Sequence, residues 1–223
     1  MESALRDALP LALVVTVSPL NIIPAILLLF TSRPLRTASA FLAGFAVGVG
    51  SVLVVMIVVA NAVGLTGGSG SSSRAATIKL LLGAYLLFAA ARKFRRRPRC
   101  EDDASLPRWM DGLTSYTPRR ALVAGVVVGA ANPKNVVVGA AAGVVIAGAS
   151  LAGSGTVGAA TGYVVIASVG VAAPIAVMVA LGVRAPAVLE RWRTWLTRNN
   201  ATVMAVLFAV FGMVLIAQGA AAR

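Results

Sequence analysis

The chain has 223 residues, of which 59% are hydrophobic and 12% are charged, and its mean hydropathy of +0.90 excludes a soluble domain whose surface faces water. The net charge of +13 does not indicate a nucleic-acid binder, because the basic residues lie between apolar runs and form no stripe on a soluble fold. One cysteine and no histidine exclude disulfides, histidine metal sites and a Ser-His catalytic pair, so we expect a membrane protein that is not an enzyme and holds no cofactor or metal.

Apolar runs long enough to cross a bilayer, each of about 17 residues or more, predict six transmembrane helices in an all-α protein. These runs lie at about 8–30, 38–64, 76–92, 121–148, 157–182 and 200–219. The first run is too long for a signal-peptide core and is followed by further spans, so we expect it to remain in the mature protein. The chain is therefore predicted to form a single transmembrane domain, 1–223.

The longest polar stretch, 93–120, divides this domain into a first half, 1–92, and a second half, 121–223. Most Lys and Arg residues outside the spans fall in this linker and in the connections after the first and fifth helices, and positive residues near helix ends are retained in the cytoplasm. This pattern predicts a multi-pass protein of the plasma membrane with both termini outside the cytoplasm. Cys100 and its acidic neighbours are interpreted as a solvated loop beside lipid headgroups rather than a metal-binding or regulatory patch.

A short internal match suggests that the two halves are related. Its two copies are Ser18-Pro19-Leu20-Asn21 in the first helix and Asn132-Pro133-Lys134-Asn135 in the fourth. Because each half has three helices, homologous halves must enter the membrane in opposite directions, which is the inverted-repeat plan of many transporters. Proline in a helix interior removes a backbone hydrogen bond and clashes with the preceding turn, so helices one and four are predicted to break at Pro19 and Pro133.

The residues around the two breaks are the predicted substrate-binding site, because unpaired helix carbonyls in lipid are tolerated mainly where protein, water or a substrate pairs with them. These residues are Ser18, Pro19, Asn21, Asn132, Pro133, Lys134 and Asn135. The alternative interpretation is that proline is simply frequent in membrane helices and that the asparagines hydrogen-bond between helices.

Lys134 is the one charged residue well inside a predicted span, where an ammonium costs about 2.5 to 3.5 kcal/mol. No Asp or Glu lies in any predicted span, so the expected partners of Lys134 are helix-end carbonyls, water or an anionic substrate. A role as a proton carrier is a second interpretation. A third is that the long side chain extends to the membrane surface.

Other patterns are interpreted as structural. Pro24 and Pro174 predict further kinks, and the segment 184–198, with Trp192 and Trp195 on one arc, predicts an interfacial helix. Four Gly-x-x-x-Gly spacings predict close helix packing. They are Gly44/Gly48, Gly125/Gly129, Gly139/Gly143 and Gly158/Gly162.

The sequence resembles the GAP family of actinobacteria, the group of the sulfolipid-addressing protein, within the LysE exporter superfamily. The resemblance covers essentially the whole chain and is carried by Pro10-Leu11-Ala12-Leu13, Ser18-Pro19, Leu27-Leu28-Leu29, Ser32-Arg33-Pro34, Ala40-Phe41-Leu42-Ala43-Gly44 and Asn132-Pro133-Lys134-Asn135. It implies six helices in two inverted repeats and the export of cell-envelope lipids such as peptidoglycolipids, sometimes beside a larger lipid transporter. Elsewhere in the superfamily, relatives export amino acids, metal ions or other small solutes.

The leading functional hypothesis is secondary export of an anionic amphiphile, with Lys134 binding its head or carrying a proton. Two alternatives stay open: LysE-like efflux of a small solute, and a non-transporting accessory subunit that docks on a larger lipid exporter through its Gly-rich faces. The expected partners are membrane lipid and the amphiphilic or small-molecule substrate, with a larger lipid transporter and a homodimer also open.

Overall fold

The computed structural model describes residues 2–63, 71–95, 110, 112–149, 151 and 153–221, and these residues form helices and turns without any strand. The helices are α1 (Glu2–Thr16), α2 (Pro19–Leu28), α3 (Pro34–Ala62), α4 (Ser71–Arg95), α5 (Pro118–Ala130), α6 (Pro133–Gly148), α7 (Gly153–Leu181) and α8 (Ala185–Ala221). Short 3₁₀ turns at Leu113–Ser115 and Gly182–Arg184 precede α5 and α8. Cys100 and most of the predicted linker lie outside the described residues.

The predicted breaks in the first and fourth spans are confirmed. α1 and α2 meet at an angle of 46°, and α5 and α6 meet at 60°. Pro19 and Pro133 are the first residues of α2 and α6, a position where the missing N–H would have no helical partner and the fixed φ suits the helix. Each proline therefore stops one helix and starts the next.

Pro24 and Pro174 lie inside α2 and α7, which both continue past them, and the kinks predicted there stay a prediction. The predicted interfacial helix at 184–198 is the first part of α8, which continues to Ala221 because no Gly or Pro occurs between residues 187 and 211 to end it. This part of α8 folds back along α7, since Trp192 and Trp195 line a small cavity together with residues of the middle of α7.

Glycine pairs bring α3 and α5 into backbone contact, as the Gly-x-x-x-Gly spacings predict. A Cβ on Gly44 would overlap the backbone carbonyl of Leu122, and a Cβ on Gly48 would lie 2.5 Å from the carbonyl oxygen of Val126. From the other side, a Cβ on Gly129 would lie 2.7 Å from the carbonyl oxygen of Phe45. A glycine four residues later in α3 contacts a residue four positions later in α5, so the two helices run in the same direction.

Glycines outside these spacings join the other helices. A Cβ on Gly170 of α7 would overlap the carbonyl of Thr16 in α1. In the α4–α8 pair, a Cβ on Gly83 would lie 2.8 Å from the carbonyl oxygen of Gly212, and one on Gly219 would lie 2.9 Å from that of Ala76. The register of these contacts makes α4 and α8 antiparallel.

By length and apolar composition, two stretches of the described chain can cross a membrane, Pro34–Ala62 and Gly153–Ala217, and the number rises to four if each bent helix pair is one span. The second stretch contains both α7 and most of α8. The buried apolar core lies where α1, α2 and α6 pack against α3 and α7, so both helix breaks are inside the bundle.

Candidate functional site

The break between α1 and α2 is held by Asn21. Ser18 links the two helices in an extended conformation, with φ −72° and ψ 116°. The amide nitrogen Nδ2 of Asn21 donates to the carbonyl oxygen of Val15 at 3.0 Å, six residues earlier. Both Ser18 and Asn21 are fully buried. The asparagine therefore gives the Val15 carbonyl at the end of α1 a second donor, beside the longer bond of 3.4 Å from the Ser18 N–H.

The break between α5 and α6 has the same local structure. Asn132 has φ −70° and ψ 116°, and its side chain accepts a hydrogen bond from the backbone N–H of Lys134 at 3.1 Å. Nδ2 of Asn135 donates to the carbonyl oxygens of Val128 at 3.0 Å and of Gly129, six residues earlier, at 3.4 Å. The sequence match between the two motifs thus corresponds to one structural device that occurs twice.

Three polar atoms at the breaks have no partner in the described part of the chain: the Ser18 hydroxyl and the side-chain oxygens of Asn21 and Asn135. Their burial makes such unpaired acceptors costly in the protein alone. The asparagines thus stabilise helix ends through their nitrogens, while their buried oxygens have no partner among the described residues.

Replacing either asparagine should destabilise the fold. Asn135→Ala removes the side-chain donor of the Val128 and Gly129 carbonyls, and Asn21→Ala leaves the Val15 carbonyl with only the 3.4 Å bond from the Ser18 N–H. We therefore expect each change to lower the free energy of unfolding by about 1–3 kcal/mol. Asn199→Ala is the matched control, because Asn199 makes the same type of bond, to the Trp195 carbonyl, at an exposed position, where the effect should stay within about 0.5 kcal/mol. Thermal unfolding in detergent measures the difference, and equal effects at all three positions would contradict this role.

Lys134 connects the two breaks. Its side chain is buried, with 7% of its surface exposed, and Nζ donates to the carbonyl oxygen of Val14 in the last turn of α1 at 3.0 Å. That carbonyl is free because the Ser18 N–H bonds to Val15 instead. The helix-end carbonyl is thus one of the expected partners that the structure provides, and the Lys134 side chain lies inside the protein rather than at its surface. An ammonium at a helix C-terminus is also favoured by the helix dipole.

A cavity of about 490 Å³ opens beside Lys134. Its polar side consists of Lys134, Asn132, Arg92 and Lys93. The remaining wall is largely apolar and is formed by Leu20, Tyr85, Leu86, Ala89, Pro133, Val137, Ala201, Met204 and Phe208. No acidic residue is among the described residues that line it. A volume of this size suits a small molecule or part of a larger amphiphile.

The predicted site residues divide into two groups in the structure. Asn132, Pro133 and Lys134 line the cavity, whereas Ser18, Pro19, Asn21 and Asn135 do not and instead shape the breaks behind it. Sequence reasoning missed Arg92 and Lys93, because it ended the third span at residue 92. α4 extends to Arg95, and the basic residues of its last turn are a helix C-terminal signal that could have predicted this.

A second depression, a groove of about 960 Å³, runs along α5. Tyr116 lies just before α5, Arg119 and Arg120 lie in its first turn, and apolar residues follow along the helix. These are Val123, Ala124, Val127, Val128 and Ala131. The groove and the cavity share Leu20, Asn132 and Pro133, so they meet at the α5–α6 break.

In a comparison with protein families, the family described as Sap, sulfolipid-1-addressing protein, matches residues 8–221. The same comparison with curated proteins and with solved structures gives no match. The description names an addressing protein rather than an enzyme. It agrees with the resemblance found in the sequence, while the wider placement in the LysE superfamily stays a prediction.

Proposed function

Because the chain belongs to the sulfolipid-1-addressing protein family, we propose that it is a secondary exporter that moves an anionic amphiphile, a cell-envelope lipid, out of the cytoplasmic leaflet. The family match supports a role in lipid transport or export. The observation that carries the choice of substrate is the buried amino group of Lys134, which lies on a cavity with the basic side chains of Arg92 and Lys93 and with no acidic side chain among its described lining residues.

The charge of the cavity favours an anion over a cation. An ammonium has three N–H groups, and Lys134 uses one of them for Val14 among the described residues. A sulfate, phosphate or carboxylate could accept from the others and from the Arg92 guanidinium, in charge-assisted bonds stronger than neutral ones. A cationic solute would meet like charges, which discriminates against it. The apolar wall would hold the first part of a hydrocarbon chain.

Six membrane crossings in two inverted halves form part of this proposal. The matching breaks support the repeat. The packing of the helices supports it as well, because α3 of the first half packs on α5 of the second, and α7 of the second half packs on α1 of the first. The fold-back of α8 on α7 supports two crossings in the long stretch Gly153–Ala217. α4 packs antiparallel to α8, which supports a crossing by α4 as well.

Cys100 offers a direct test of the proposed orientation, because it is the single cysteine of the chain and belongs to the linker predicted to be cytoplasmic. In intact cells a membrane-impermeant maleimide should leave Cys100 unlabelled and should react with it after permeabilisation. In a Cys100→Ser background, Val63→Cys at the exposed end of α3 should be labelled without permeabilisation. The reverse pattern would invert the topology and place the cationic cavity on the wrong side for uptake from the cytoplasm.

The accessory-subunit alternative loses part of its basis in the structure. Docking was expected through the Gly-rich faces, but Gly44, Gly125 and Gly139 each face another helix of the same chain. Gly158 on α7 is exposed and keeps one such face open. Purified protein in liposomes separates the two functions, since an accessory subunit would move no lipid by itself.

A further inference from the structure

The groove along α5 combines an apolar surface open to the side with a cationic end. Val123 and Val127 are 59% and 54% exposed, which in so apolar a chain indicates contact with lipid. Arg119 and Arg120, the last two residues of the basic stretch 93–120, are exposed at the start of the same helix. Neither arginine forms an ion pair within the described residues, and no acidic residue is among those that line the groove.

The dimensions of the groove match one leaflet. Between Arg120 and Ala131, a rise of 1.5 Å per residue gives a length of about 16 Å. The hydrocarbon core of a bilayer is about 30 Å thick, so one acyl chain of a leaflet lipid occupies about half of that. A lipid whose head lies at the arginines would therefore reach the α5–α6 break with its chain.

We propose that this groove is the loading site of the exporter. An anionic lipid of the cytoplasmic leaflet binds here with its headgroup on Arg119 and Arg120 and one acyl chain along Val123 and Val127, before its head moves into the Lys134 cavity. The inference rests on the proposed function, because it assigns a first position to the same substrate.

The movement of the headgroup from the groove into the Lys134 cavity requires that the two spaces adjoin. Leu20, Asn132 and Pro133 line both spaces, so the groove and the cavity adjoin at the helix breaks. The positive charge of Arg119 and Arg120 at one end and of Lys134 beyond the other gives an anionic head a cationic partner at both positions. The chain can stay in contact with the membrane throughout, because the valines are open to the side.

Photolabelling of the full-length protein in nanodiscs tests this directly. The probe is an anionic phospholipid with a diazirine on its acyl chain, in a phosphatidylcholine bilayer, and the labelled peptides are identified by mass spectrometry. We expect label on α5 between residues 123 and 131. Arg119→Gln with Arg120→Gln should weaken this labelling by about tenfold to thirtyfold, because each basic residue near an anionic surface contributes a few-fold. The double variant Arg33→Gln, Arg36→Gln removes two exposed arginines at the start of α3 that line neither space, and it should label normally.

Val127→Trp is a second variant, which fills the groove without touching the arginines. It should also reduce the label on α5, whereas Val165→Trp, at a 60% exposed position of α7, should not. Label spread evenly over all helices, or equal labelling of the two arginine double variants, would each overturn the proposal. Labelling is measured without transport, so labelled protein that moves no lipid would refute the proposed function alone, and transport without label on α5 would refute the loading site alone.

Discussion

Export is expected to fall to the level of deletion cells when Lys134 is replaced by Met, while the protein still inserts and folds. The physical reason is a near cancellation of two terms. Removing the buried ammonium relieves a cost of about 2.5 to 3.5 kcal/mol, and leaving the Val14 carbonyl unpaired costs about 1–3 kcal/mol. Methionine keeps a flexible apolar stem of similar shape. The net change in stability should therefore be small, and the loss of export should come from the missing cation.

The measurement compares the lipid extracts of deletion cells complemented with wild-type protein or with the variant. The anionic amphiphile should appear at the cell surface with the wild type and accumulate inside with Lys134→Met. Arg36→Met is the control, because it removes an exposed arginine that lines neither space, and it should export normally. Normal export by Lys134→Met, with monodisperse protein in detergent, would remove the proposed mechanism.

Lys134→Arg separates the two roles that the sequence leaves open for this residue. A guanidinium stays charged under all conditions in proteins and so cannot release a proton. Partial export by Lys134→Arg is expected if the cation binds the headgroup. Complete loss of export, with folding retained, would favour the proton-carrier role instead.

Gly44→Ala is expected to destabilise the fold severely, by about 3 kcal/mol or more, at the upper end of overpacking effects. The added Cβ would overlap the backbone carbonyl of Leu122, and backbone cannot move aside as a flexible side chain can. The helices would have to separate, which would also disturb the neighbouring contact between Gly48 and Val126. The α5–α6 break, at the end of this contact, would then lose its position beside α3.

Gly50→Ala is the matched control on the same helix. A Cβ there would lie 3.6 Å from a methyl group of Val164, an ordinary contact, and alanine is a better helix former than glycine by about 1 kcal/mol. We therefore expect Gly50→Ala to be neutral or stabilising. Fluorescence-detected size-exclusion chromatography after heating ranks the two variants, and equal stability of both would contradict the backbone contact between α3 and α5.

The sequence was sufficient to predict those features that depend on local chemistry. Pro19 and Pro133 lack an N–H, so the two breaks follow from the residues themselves, and Lys134 was conspicuous as a charge in an apolar run. The Gly44/Gly48 spacing likewise carries its own signal. Gly170 belongs to no such spacing. The carbonyl that leaves no room for a side chain at this position is that of Thr16 in α1, which is far away in the sequence.

The candidate site could be predicted only in part, for the same reason. Asn132 and Lys134 stand in one motif, but Arg92 reaches the cavity from another helix, which extends three residues past its apolar run. The groove along α5 depends on which valines the neighbouring helices leave uncovered. Such surfaces arise from the packing of all the helices. They cannot be predicted from the spacing of apolar residues within a single helix.

The central claim is that this chain itself moves an anionic amphiphile across the membrane by way of the Lys134 cavity. Its most direct test is purified protein in liposomes with a fluorescent anionic lipid in one leaflet, measured beside a zwitterionic lipid with the same chains. Wild-type protein should move the anionic lipid faster than the zwitterionic one, and Lys134→Met should move neither above protein-free liposomes. Folded wild-type protein that moves neither lipid, or a Lys134→Met variant that moves the anionic lipid as fast as wild type, would contradict the claim.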